Sequence, residues 1–119
     1  MYRIFFICFF VLFSAFSSQA RHKHLERWYQ EQFCHGQTEV KLEDGTRVDC
    51  LTDHYAVEFD FAPKWAEAIG QSLHYADITK KKPAIVLIIE QKQHIKHMLK
   101  IANLCNKLRI RLFFILNIY

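Results

Sequence analysis

Ala84-Ile85-Val86-Leu87-Ile88-Ile89 is an unbroken apolar run in the second half of the chain. Successive side chains on a strand point to opposite faces, so a run without polar residues must be buried on both. Its Ile and Val content suits a strand, and two-sided burial predicts a central, parallel strand covered by helices. The flanks supply the cover. Trp65, Ala68, Ile69, Ser72, Leu73 and Ala76 recur at spacings of three and four, an amphipathic helix that Pro63 opens. Ile95, Met98, Leu99, Ala102 and Cys105 repeat the pattern within Gln93 to Leu108, after the polar break Lys80-Lys81-Lys82-Pro83. Arg109 to Ile118 then reads as a last strand.

The first half of the domain has a different rhythm. Leu25, Trp28, Tyr29 and Phe33 predict a helix over His24 to Phe33, ended by His35-Gly36. Thr38 to Leu42 alternates, Glu43-Asp44-Gly45 turns, and Thr46 to Leu51 returns. Thr52-Asp53-His54 turns again into Tyr55 to Phe61, giving a three-strand antiparallel meander. The expected fold is therefore α/β: an α-β-β-β-α-β core with a further helix and strand, and a mixed central sheet flanked by helices. Gly45 serves the turn, Gly36 the helix end, and Gly70 is expected where a helix approaches the sheet closely.

The chain has 119 residues, enough for one domain, and 51% of them are hydrophobic. Much of that share lies at the start. Met1-Tyr2-Arg3 is positive, Ile4 to Phe13 is almost purely apolar, and Ser18-Gln19-Ala20 places small residues before a cut. This layout predicts a signal peptide over 1–20, leaving a single domain over 21–119. An uncleaved anchor is the other reading, although the apolar run is short for a span, as is Leu112 to Leu116 near the end. No stable membrane span is expected after cleavage, and the protein is expected in the periplasm or secreted. Without Arg3, 15 basic residues face 12 acidic ones, a net charge of +3. This mild excess permits a phosphate-bearing partner without requiring one.

Export implies an oxidising compartment. Cys8 leaves with the signal, and Cys34, Cys50 and Cys105 remain. A Cys34–Cys50 bridge closes a loop of about 15 residues and stabilises by roughly 3 kcal/mol in the loop-entropy model. It is preferred over three buried thiols. Cys105 lies on the apolar side of its helix as a core residue.

The candidate chemistry lies between Arg47 and Asp60. Glu58 and Asp60 share one face of their strand, Val57, Phe59 and Phe61 the other, and Asp49 is on the strand before. Three converging carboxylates raise one another's pKa unless a cation is present, so the cluster is either a divalent-metal site or a solvated sheet edge. Hard cations such as magnesium take carboxylate oxygens, activate water and neutralise phosphoryl charge. On the following helix Lys64, Gln71 and Tyr75 fall within about 40° of one another, off the apolar face centred on Ile69 and Leu73. That edge carries a cation and an amide that could orient water or a phosphate. The plain alternative is a surface lysine, a rim amide and a half-buried tyrosine. Glu31 and Glu39 are weaker candidates. His22 with His24, and His94 with His97, lack the further ligands of a zinc motif. Lys80 to Lys82 suits a solvated turn. There is no Gly-rich phosphate loop and no serine nucleophile elbow.

With the element order, an aspartate on the second strand and Glu58-Phe59-Asp60 on the third, the chain resembles the PD-(D/E)xK nuclease superfamily, from about Leu25 to Ile115. Gln71-Ser72-Leu73-His74-Tyr75-Ala76 is similar to the Gln-x-x-x-Tyr helix motif of its RecB-like branch. The resemblance implies a restriction-endonuclease-like fold, magnesium or manganese as cofactor, and nucleic acid as partner. Asp49 and Glu58 become metal ligands, with Gln71 orienting the reacting groups. Asp60 stands where the family carries lysine. It becomes a third ligand or a water-positioning group, and Lys64 supplies the displaced cation. The alternative is a catalytically degenerate, disulfide-braced binding module on the same fold.

Overall fold

The computed structural model describes residues 22–119; the expected signal peptide lies outside the described residues. The elements are α1 (Glu26–Phe33), β1 (Gln37–Lys41), β2 (Arg47–Leu51), β3 (Tyr55–Phe61), α2 (Trp65–Thr79), β4 (Lys82–Ile89), α3 (Lys96–Leu108) and β5 (Arg111–Leu116). They form a five-stranded mixed sheet in the order β1-β2-β3-β4-β5. β1, β2 and β3 pair antiparallel, and β3, β4 and β5 pair parallel. No helix of the described residues is long and apolar enough to cross a membrane.

The apolar run of β4 is interior, between the central β3 and the edge strand β5, and is buried on both faces. Ala84, Val86 and Ile88 face Tyr29 of α1, together with Val57, Phe59 and Phe61 of β3. Ile85, Leu87 and Ile89 face Ala68 of α2 and Ile101 and Cys105 of α3. β3 thus divides as its alternation requires, with Phe59 on one side and Glu58 and Asp60 on the other.

Two details differ from expectation. The buried residues of α2 are Ala68, Ser72 and Tyr75, while Leu73 is 37% exposed. The helix is rotated so that Tyr75, expected on the polar edge, packs with Val48 and Ala56. Ser72 tolerates burial because its hydroxyl donates to the Ile69 carbonyl at 2.9 Å. Gly70 meets nothing within 4 Å of an added Cβ, so it makes no close approach to the sheet. Gly36 does: a Cβ there would lie 2.1 Å from the Leu51 carbonyl oxygen. Gly36 immediately precedes β1, whose Gln37 is the register partner of Leu51, and the Cys34–Cys50 disulfide ties the end of α1 to β2 beside it. That bridge accords with an oxidising compartment, and Cys105 remains a buried free thiol.

The start of the domain is tied down by Glu90, just past β4. His22 Nδ1 lies 2.9 Å from its Oε1, while its Oε2 accepts from Tyr29 Oη at 2.6 Å and from the Lys23 and His24 backbone at 3.0 and 3.4 Å. His22 also stacks on Phe61 at 3.6 Å. These contacts give His22 and His24 structural roles, although His22 stays exposed at one side.

Candidate functional site

The site begins where β2 and β3 part. Their ladder is paired at Cys50–Val57 and Leu51–Ala56. Beyond it, the Asp49 carboxylate accepts the Phe59 N–H at 2.8 Å, in the place of a backbone carbonyl. This side chain-to-backbone bond aims Asp49 along β3 and brings its carboxyl into hydrogen-bonding reach of Glu58. Asp60 follows on the same strand, with Oδ1 accepting the Phe61 N–H at 2.9 Å. Asp49, Glu58 and Asp60 are only 9%, 4% and 4% exposed, so the three acids are not a solvated sheet edge.

Burial raises all three. Desolvation pushes Asp49 up to about 6, against the Phe59 N–H and the Glu58 carboxyl, which lower it. Asp60 is also pushed up to about 6 by burial, opposed by the Phe61 N–H and by Lys64. Glu58 is driven far above the carboxylate range, first by burial and then by the Asp49 charge. The upward shifts favour a proton retained by the pair and shared between Asp49 and Glu58. Glu58 Oε2 is buried without a hydrogen-bond partner.

The electrostatics also bring in residues outside the strands. Lys64 ends a 3-10 turn, Ala62–Lys64, that joins β3 to α2. Its charge lowers both Asp60 and Glu26, so it stands beside the cluster. Tyr75 is pushed up to about 12 by burial and by the charges of Glu58 and Asp49, so its hydroxyl stays protonated. Gln71 lies one turn earlier on α2 and is exposed. Of the five residues proposed from sequence, Asp49, Glu58, Asp60 and Lys64 are thus gathered by position and field, and Gln71 lies on the rim.

Glu26 was not legible as a site residue. It is pushed up to about 7 by burial, with further upward contributions from Asp49, Asp60 and Glu39. Gln30 Nε2 donates to Glu26 Oε1 at 3.3 Å, while Gln30 Oε1 is buried and unpartnered. The only trace in the sequence is a Glu and a Gln one helical turn apart on a helix otherwise read for its apolar residues. Glu39 also contributes to the field at Asp49, whereas Glu31 pairs with Arg27 on the surface at 3.3 Å. Among the described residues, no group of three or more His, Cys, Asp or Glu side chains stands ready at metal-ligand geometry.

No known family model, curated protein or solved structure matches this chain.

Proposed function

We propose that this is a periplasmic or secreted protein of restriction-endonuclease-like, PD-(D/E)xK type, and that its carboxylate cluster supports magnesium- or manganese-dependent hydrolysis of a phosphodiester in nucleic acid. The observation that carries this reading is the buried Asp49–Glu58 pair, with the unpartnered Glu58 Oε2, beside Asp60 and Lys64. Burying carboxyls against one another opposes stability, and such costs concentrate at functional sites. The donor set is all carboxylate oxygen, which suits a hard divalent cation. Asp49 and Glu58 would hold the ion once Glu58 gives up its proton, and Asp60 would add an oxygen or position a water.

When bound, such a cation lowers the pKa of water and offsets charge on a phosphoryl oxygen. Lys64 stabilises the charge that develops on the phosphate. Gln71, at the rim, orients the approaching strand, and Tyr75 offers a protonated hydroxyl behind the carboxyls. Because the carboxyls must deprotonate to receive the ion, affinity rises with pH through the range near 6 where Asp49 and Asp60 titrate.

The test is incubation of purified protein with single- and double-stranded DNA and RNA, with and without magnesium or manganese. Cleavage that needs metal and is lost in Glu58→Ala is expected. Equal silence from wild type and Glu58→Ala under all conditions would sink the catalytic reading. One observation favours the degenerate binding module instead: Asp60 occupies the position of the family lysine. Silence combined with absence of Asp49-dependent heat on metal titration would select it.

A further inference from the structure

The two faces of the sheet are covered unequally. α2 and α3 pack on Ile85, Leu87 and Ile89. Among the described residues, the opposite face carries only α1, eight residues long. Beside α1 that face opens into a cavity of about 430 Å³, lined by Val57, Phe59, Val86, Phe113 and Ile115 among others. Phe113 and Phe33 at its edge are 51% and 46% exposed. The volume lies within the range of small-molecule sites, which are mostly apolar with a few placed polar groups.

The polar groups lie at one end. Strand alternation sets Tyr55, Lys82 and Arg111 on this same face, at the starts of β3, β4 and β5. They line a second cavity of about 310 Å³ at the end of the sheet, together with Arg109 and Asn106 and with Cys105 and Ile110 from the α3 side. Tyr55 and Arg111 line both cavities, so the apolar groove adjoins a basic pocket at the ends of the strands. The Arg111 guanidinium stands 5.8 Å from the Phe113 ring centroid, at the junction of the two. Among the described residues, neither lining contains an aspartate or glutamate.

We infer that this groove binds a long-chain carboxylate, its chain lying over Phe59, Val86 and Phe113 and its carboxylate at Arg111 and Lys82. A guanidinium fork matches a carboxylate bidentately, and Lys82 adds a point charge. Neither lining includes Asp49, Glu58, Asp60 or Lys64, so the inference stands apart from the proposed nuclease site.

Calorimetric titration with dodecanoate below its micellar concentration tests it, using protein expressed with its own leader and purified as the cell leaves it. Dodecyltrimethylammonium offers the same chain with the opposite charge, and acetate the carboxylate without the chain. One saturable site for dodecanoate is expected, and none for the other two. Arg111→Gln and Phe113→Ser, both at exposed positions, each weaken binding by at least about tenfold with little change in melting temperature. If Phe113→Ser does not fold, Lys82→Gln carries the same expectation for the headgroup. The inference is overturned by absence of saturable heat, by equal binding of the cationic amphiphile, or by variants that bind like wild type. It is also overturned by a dimer in light scattering that Phe113→Ser dissociates, which assigns the groove to a second copy of the chain.

Discussion

Glu58 on β3 and Glu90 just past β4 are almost equally buried, at 4% and 3% exposure. Their surroundings are opposite. Glu90 is met by an imidazole, a phenol and two backbone N–H groups. Glu58 is met by Asp49, Asp60 and Glu26, and one of its oxygens has no partner. Burial alone therefore says little about a carboxylate; the partners decide. A carboxylate surrounded by donors is a fastener. One surrounded by other acids opposes stability unless something else is bound there, and that is the signature of a site.

The largest effect expected from this contrast is at Glu90. Glu90→Ala strands the Tyr29 hydroxyl and two backbone N–H groups, and should lower unfolding free energy by about 3 kcal/mol or more in urea denaturation. A loss below about 1 kcal/mol would erase the distinction between the two glutamates.

The next effect is in pH. Asp49 and Asp60 rise from 3.8 to about 6 and Glu26 from 4.5 to about 7, with Glu58 raised further still. A carboxyl whose pKa is higher when folded stabilises fully below its unfolded pKa, and that contribution is lost as pH rises through the folded value. Without divalent cations the protein should therefore lose more than about 2 kcal/mol between pH 4 and pH 8. Urea denaturation across that range with a chelator present reads it directly, and stability rising with pH would contradict the clustered acids.

Tyr29→Phe should cost about 2 kcal/mol, the worth of the hydrogen bond to Glu90 and the weaker one from Asn117, leaving the other Glu90 contacts in place. Smallest of all, Glu58→Gln without metal should change stability at pH 7 by less than about 1 kcal/mol, since the glutamate it replaces already carries a proton there. A loss as large as that at Glu90 would make Glu58 a second fastener.

The α/β architecture was legible because its determinants are local. The apolar β4 run, the spacing of the flanking helices and the Asp44-Gly45 turn each specify their own element. Gly45 indeed has φ +86°, and Asp44 accepts from the Thr46 N–H at 3.0 Å. Element ends were less legible. Arg109 was expected in the last strand, but it caps α3 in the left-handed conformation at φ 57°. The strand acids Asp49, Glu58 and Asp60 were legible as a group because alternation and register bring them together. Glu26 was not, because its approach depends on how α1 sits against the sheet. Glu90 was missed for the same reason: its partners are up to 68 residues away in the chain. The rotation of α2 that buries Tyr75 and exposes Leu73 is likewise set by contact with Val48 and Ala56 rather than by the helix's own pattern.

The proposed function requires the Asp49–Glu58 pair to exchange a proton for a divalent cation. Melting temperature measured against increasing manganese or magnesium tests it most directly. A saturable rise is expected for wild type, larger at pH 8 than at pH 5.5, and lost in both Asp49→Asn and Glu58→Gln. Glu90→Gln should start from a lower melting temperature and keep the rise. An equal rise in wild type and Glu58→Gln, or none in wild type at either pH, would contradict it.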